Sequence, residues 1–228
     1  MTDRTFALLG ASGLVGGRLL DLLATDARYT HGTILGRRPF AAPAGKTLGA
    51  NVTDVVVDFD RPEALRGHLA VDDVFCCLGT TIKKAGSQAA FHRVDCDIPV
   101  AVGREARSAG ARQFLIVTAV GADAGSRVFY NRVKGEVEAG LAALEFPDGL
   151  KVFRPSLIVG ERGERRPAER VAMALMTATR PLFAGGLTRY RAIDAADVAL
   201  AMQRAALDSP PAAGVHVYQG ESLFALAR

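Results

Sequence analysis

The chain has 228 residues, of which 49% are hydrophobic, 23% charged and 24 are glycines, a composition that supports a sizeable core and excludes fibrous, disordered and disulfide-scaffold classes. Its formal net charge is +4, yet the arginines are dispersed with no aromatic-interleaved basic stripe, so a nucleic-acid partner is not expected. The start MTDRTFALLGASG breaks any apolar signal core, and no later segment is an uncharged apolar run of membrane-spanning length, so no membrane association and a cytoplasmic address are expected.

In chain order, Thr5 to Leu9 is a short apolar run that stops at Gly10, and a helical pattern follows with Leu14, Leu19, Leu22 and Leu23 along one face. Gly32 to Gly36 is a second strand, ended by Arg37-Arg38-Pro39 because proline cannot donate to a sheet ladder. Residues 39–51 read as a loop rich in Ala, Gly and Pro, Val55 to Phe59 as a third strand, and Arg61 to Leu69 as a short helix or turn. Val74 to Leu78 is a fourth strand stopped by Gly79, Ser87 to Ser108 a long helix ending before Gly110, and Phe114 to Thr118 a fifth strand. A helix near Val128 to Leu144 follows, then a strand from Lys151 to Arg154 ended by Pro155. Helical stretches over 168–177 and 195–206 and a last strand from Val215 to Tyr218 complete the pattern. Near-continuous apolar strands separated by helices require a sheet buried on both faces, so the fold class is α/β: a doubly wound, mostly parallel Rossmann sheet in a single domain over 1–228. Substrate-binding elements are expected in the C-terminal part.

The loop Gly10-Ala11-Ser12-Gly13-Leu14-Val15-Gly16 follows a strand, opens a helix and lies within a βαβ unit, the context that gives a GxxGxxG spacing its meaning. Gly10 allows the tight turn, Gly13 lets the backbone approach a pyrophosphate and Gly16 lets helix and strand pack closely. Free amides and the positive end of the helix dipole would then hold the anion. At the end of the second strand an acid would accept from a ribose 2′-hydroxyl, but Arg37 and Arg38 stand there, and a guanidinium offers a 2′-phosphate bidentate hydrogen bonds. NADP(H) is the cofactor expected, with one of the two arginines making the key contact. Asp58, with Phe59 beside it, is either an adenine neighbour or a solvated strand end.

Tyr130 and Lys134 are four apart and share a helix face after the fifth strand. A lysine ammonium one turn away favours the phenolate, so Tyr130 can give or take a substrate proton while Lys134 bonds the nicotinamide ribose. The bland alternative is an incidental i,i+4 pair on a surface helix. The cluster Arg162, Arg165, Arg166 is either a solvated loop or a site for an anionic ligand. Cys76, Cys77 and Cys96 are too few for a disulfide framework and lack paired zinc spacing, and read as reduced core thiols.

The segments GASGLVG (10–16), LGRRP (35–39), VVDFD (56–60) and FCCLGTTIKKAG (75–86) match a family pattern. So do FHRVDCD (91–97), YNRVKGEVEAGL (130–141), FRPSLIVGER (153–162) and DAADVALA (194–201). Together they resemble the atypical, NADPH-binding branch of the short-chain dehydrogenase/reductases, among the oxidoreductase-like relatives of the Tat-interacting protein. The resemblance implies bound NADPH, with Leu78, Gly79 and Thr80 near the cofactor and Arg154, Pro155 and Ser156 near its nicotinamide. It also implies Tyr130 and Lys134 as the active pair. Such families present serines after the fifth strand, whereas here Thr118 offers the only hydroxyl and Ala119 stands beside it. Two functions follow: an NADPH-dependent reductase of a small carbonyl or enone, with Thr118, Tyr130 and Lys134 catalytic, or a non-catalytic NADPH-binding regulator. A small-molecule substrate is the expected partner, with a protein partner or a homo-oligomer left open.

Overall fold

The computed structural model describes residues 3–42, 48–160, 191–207 and 212–228; the expected helix over 168–177 and the arginine cluster lie outside them. Strands β1 (Arg4–Leu9), β2 (Tyr29–Gly36), β3 (Val52–Val56), β4 (Asp73–Cys76), β5 (Gln113–Val117) and β6 (Leu150–Phe153) lie in one sheet. After β7 (Ile158–Val159) and β8 (Ile193–Asp194), which pair with each other, β9 (Val215–Tyr218) closes the large sheet. Its order is β3-β2-β1-β4-β5-β6-β9, with every neighbouring pair parallel. The chain moves outward one way from β1 and the other way from β4, so a crevice opens at the carboxyl ends of these two strands.

Alternate residues of the central strands feed two cores. Phe6, Leu8, Phe75, Leu115 and Phe153 face α1 (Leu14–Thr25) and a later helix over Ala195–Leu207. Val15, Leu19 and Leu23 of α1 pack there against Val198, Ala199 and Met202. On the other face, Ala7, Leu9, Val74, Cys76, Phe114 and Ile116 meet Val102 and Ala106 of a helix over Ile98–Ser108 and Val133, Val137 and Leu141 of another over Phe129–Ala142. In chain order the α-helices after α1 among the described residues are α2 (Ile82–Ala85), α3 (Gln88–His92), α4 (Ile98–Ser108), α5 (Phe129–Ala142), α6 (Ala195–Leu207) and α7 (Glu221–Leu226).

Two details depart from expectation. The third strand begins three residues earlier than the apolar run Val55 to Phe59: its register pairs Gly32 with Val52 and Gly36 with Val56. As an edge strand β3 is only half covered, so polar Thr53 and Asp54 belong to it while Phe59 turns into the core. Residues 62–68 form a 3₁₀ helix, one of the two forms expected. The long helix is interrupted, because Arg93–Asp97 between α3 and α4 is a π turn. Pro99, which has no N–H, cannot close the α-helical bond to the carbonyl of Asp95, and the wider turn accommodates that gap.

At the opposite edge of the sheet from the crevice, Asp73 is fully buried and accepts from Arg4 Nε at 2.9 Å, the Tyr29 hydroxyl at 2.6 Å and Gln113 Nε2 at 2.6 Å. Gln113 in turn accepts from Lys151 Nζ at 2.5 Å, and Lys151 also donates to the carbonyl of Ala205 on α6 at 2.6 Å. Burial holds the Lys151 ammonium below the usual lysine range and the Tyr29 hydroxyl well above the usual phenol range. Five strands and α6 are thereby joined through the network around one carboxylate. Replacing Asp73 with Ala strands three buried donors at once and is expected to cost about 3–5 kcal/mol in urea unfolding. Arg228→Ala, which breaks a solvent-exposed pair with Glu221, is expected to cost less than about 1 kcal/mol by the same measurement.

Candidate active site

The turn from β1 into α1 is held at van der Waals limits by its glycines. Gly10 has φ +83°, and a Cβ there would lie 2.5 Å from the carbonyl oxygen of Cys77 after β4. A Cβ on Gly16 would lie 2.1 Å from the carbonyl oxygen of Gly10, so only glycine lets the helix sit this close to the strand. No side chain caps the amino end of α1 and no acidic residue lies in its first turn. The N–H groups there, and the positive end of the helix dipole, are left for an external anion. They face a groove of 1390 Å³ lined by Gly10, Ser12, Gly13 and Leu14 on one side and Leu78, Gly79 and Thr80 on the other. Arg37 and Arg38, exposed at the end of β2, line it further along. Basic residues predominate here, because Arg18, Lys84 and Arg93 also border the groove, against the carboxylates of Asp21 and Asp194. Arg93 is partly neutralised by an ion pair with Asp60. A groove of this size, with basic residues beside free helix-end amides, suits an elongated polyanion.

Tyr130 stands in the first turn of α5 with 38% of its surface exposed, its ring tilted against Phe91 at 5.8 Å. The Lys134 ammonium lies 5.9 Å from the centre of the Tyr130 ring. Lys134 is buried and donates to Asp95 Oδ1 at 2.7 Å, while Asp95 Oδ2 accepts the amide N–H of Thr80 at 2.9 Å. One buried carboxylate therefore ties the lysine to the groove wall. Thr118 is also buried, and its hydroxyl donates to Glu138 Oε1 at 2.6 Å. Glu138 is held from the far side by the Arg154 guanidinium, with Nε 3.0 Å from Oε1. Thr118, Glu138 and Arg154 thus form a continuous chain of charge-assisted bonds beside α5.

The residues named from sequence divide into three groups. Gly10, Ser12, Gly13, Leu14, Arg37, Arg38, Leu78, Gly79 and Thr80 converge on the groove. Val15 and Gly16 are buried beneath it, and Phe59 lies in the core. Asp58 is exposed in a turn, accepting the N–H of Asp60 at 2.9 Å, and does not border the groove. Tyr130, Lys134 and Thr118 sit beyond the groove's lining, as do Arg154, buried Pro155, and Ser156, whose hydroxyl donates to the carbonyl of Arg191 at 2.5 Å. Asp95, Glu138, Arg18 and Lys84 carry no role in the sequence reading. Asp95 falls within the quoted FHRVDCD segment, but nothing in its spacing links it to Lys134, 39 residues away. The cysteines are free thiols: Cys76 and Cys96 are buried, and Cys77 borders the groove. Burial pushes the Cys76 thiol up to about 12.

Fold and glycine turn together define a Rossmann-type α/β protein. The chain is 38% identical over 176 residues to protein HTATIP2 of Rattus norvegicus, covering 75% of this chain and 70% of that one. It is 31% identical over 211 residues to the mitochondrial protein FMP52 of Coccidioides immitis, covering 89% and 85%. The chain belongs to this HTATIP2 and FMP52 family, an atypical branch of the short-chain dehydrogenase/reductases. No family model matches it. Among solved structures, the fold is shared with Bordetella bronchiseptica WbmH in complex with NAD⁺, at a TM-score of 0.68, 15% identity and coverage of 95% and 75%. It is shared equally with MoeE5 in complex with UDP-glucose and NAD, at 0.66, 15%, 98% and 80%.

These relatives overturn the expected cytoplasmic address, since the fungal FMP52 proteins are named mitochondrial. Mitochondrial transit segments are amphipathic and leave no apolar run of the kind sought in the sequence. Among the described residues, no helix is long and apolar enough to cross a membrane.

The Asp95 to Lys134 pair can be weighed by a double-mutant cycle. Asp95→Leu alone leaves a buried ammonium unpaired and is expected to cost about 3–5 kcal/mol in urea unfolding, whereas adding Lys134→Met is expected to recover most of that loss.

Proposed function

We propose that the chain binds NADP(H) along the groove and reduces a small carbonyl or enone, with Tyr130 as general acid. The observation that carries the reading is the uncapped amino end of α1, packed so closely that only glycine fits, opening on a groove with Arg37 and Arg38 farther along its wall. A dinucleotide's diphosphate needs the first feature and a 2′-phosphate the second. Gly10, Ser12, Gly13 and Leu14 would hold the diphosphate, and Arg37 or Arg38 the 2′-phosphate. The cofactor, when bound, supplies a hydride. Everything else falls to side chains of this chain: the hydroxyl of exposed Tyr130 delivers the proton to the carbonyl oxygen, and Lys134, one turn on, bonds the nicotinamide ribose.

A second reading has its own observation. The Thr118 hydroxyl, the one expected to polarise a carbonyl, is committed to Glu138, and Ala119 beside it brings no hydroxyl. On that basis the chain is a cofactor-binding regulator without turnover.

Calorimetric titration of NADPH against NADH tests the cofactor assignment. NADPH is expected to bind more tightly, and loss of the phosphate contact in Arg37→Ala or Arg38→Ala is expected to weaken it by about 10- to 100-fold with NADH binding unchanged. Equal binding of both cofactors by the parent protein defeats NADP(H) preference. Tyr130→Phe is expected to abolish carbonyl-dependent oxidation of NADPH while sparing its binding. A parent protein that binds NADPH and oxidises it with no carbonyl or enone supports the regulator instead.

A further inference from the structure

The π turn gathers a second set of groups on the outer side of the helix that carries Asp95. In a straight α-helix the residue five positions along points well away from the first, whereas a π turn's wider spacing returns it toward the same face. His92, Cys96 and Asp97 stand at i, i+4 and i+5 across this turn. One ligand atom from each, a ring nitrogen, the thiol sulfur and a carboxylate oxygen, lies within 4.8 Å of the others. His92 Nδ1 is 3.0 Å from Asp97 Oδ1, and its Nε2 is 3.0 Å from Glu136 Oε2 on α5. The cluster is reachable from solvent, because the side chains of His92 and Asp97 are 36% and 58% exposed while Cys96, at 7%, forms the floor.

We propose that His92, Cys96 and Asp97 form a binding site for one zinc-type divalent cation, with Glu136 orienting the imidazole from behind. The donor set is one nitrogen, one sulfur and one oxygen, which suits zinc or cobalt and not magnesium or calcium. Zinc bond lengths imply edges of about 3.4–3.6 Å between tetrahedral ligands, so the three side chains need to shift by only about 1 Å. Nδ1 faces the ion beside Asp97, and Nε2–H donates to Glu136, the carboxylate–histidine arrangement that fixes ring orientation at metal sites. Arg132, with Nε 3.8 Å from Glu136 Oε1, steadies that carboxylate. The ion binds by displacing the Cys96 thiol proton to solvent and takes thiolate, carboxylate and neutral imidazole as ligands. Water completes the fourth position. An ion here would clamp the π turn that presents Asp95 to Lys134.

Titration of the purified full chain with Zn²⁺ alone, and separately with Co²⁺ alone, tests the site. One ion per chain is expected, with cobalt giving tetrahedral visible bands and a near-ultraviolet thiolate-to-cobalt charge-transfer band that EDTA removes. Cys96→Ser is expected to lose that band and, like His92→Gln, to bind Zn²⁺ at least about 10-fold more weakly, and Glu136→Gln to weaken it by about 10-fold. Should Cys96→Ser not fold, retention of the band in both Cys76→Ala and Cys77→Ser reports the same ligand. Absence of the band at saturating cobalt, its loss in Cys76→Ala or Cys77→Ser, or zinc binding by Cys96→Ser equal to the parent overturns the proposal. None of these readouts depends on NADPH or on turnover, so the cation site and the proposed reductase stand or fall separately.

Discussion

The contact between the backbone of Gly10 and the first turn of α1 at Gly16 governs the carboxyl edge of this molecule. Because a single Cβ at Gly16 would meet the Gly10 carbonyl oxygen at 2.1 Å, the helix can approach the strand only through glycine. That approach puts unpaired amides, without a capping side chain, where the sheet order reverses between β1 and β4. Gly10 is pressed at the same time against the carbonyl of Cys77, so the loops after β1 and β4 share one wall of the groove. Any anion drawn to the helix end meets both loops together.

Around α5 the organising force is electrostatic. Lys134 with Asp95, and Glu138 with Arg154 and Thr118, place five charged or hydroxyl groups in the low-dielectric flank of the sheet, each satisfied by another. Such groups are costly to strip of their partners, so these side chains are held in fixed positions. The Asp95 carboxylate also receives the Thr80 amide from the groove wall, which gives the lysine a direct physical link to the place where a ligand would lie. The π turn at Arg93–Asp97 supplies that geometry, and Pro99 explains why the helix widens there.

The two ends of the sheet divide labour. At the amino edge, Asp73 draws Arg4, Tyr29 and Gln113 into one buried knot that reaches α6 through Lys151. At the carboxyl edge, strand ends give way to glycine turns and exposed arginines. Rigidity at the first lets the second carry open loops, the general arrangement of parallel α/β sheets in which ligands lie beyond the carboxyl ends of strands.

Periodicity and punctuation alone settled the seven strands of the main sheet, the parallel α/β class and the glycine turn, though not the short β7–β8 pair, because a strand buried on both faces must be apolar throughout and a strand-to-helix turn this tight must be glycine. Local pattern also found Arg37 and Arg38, since they immediately follow a strand end. It misjudged β3, where an edge strand keeps polar residues that a central one would not, and it missed the π turn, whose cause is one proline inside a good helical pattern. It gave Asp95 and Glu138 no part, because a carboxylate acquires meaning only from the ammonium or guanidinium folded against it. It treated Thr118 as a free hydroxyl, although a side chain 20 residues away accepts its hydrogen bond. Residues adjacent in the chain were legible from the sequence, while partners distant in the chain were decided by the tertiary structure, since burial alone determines which charges must find each other.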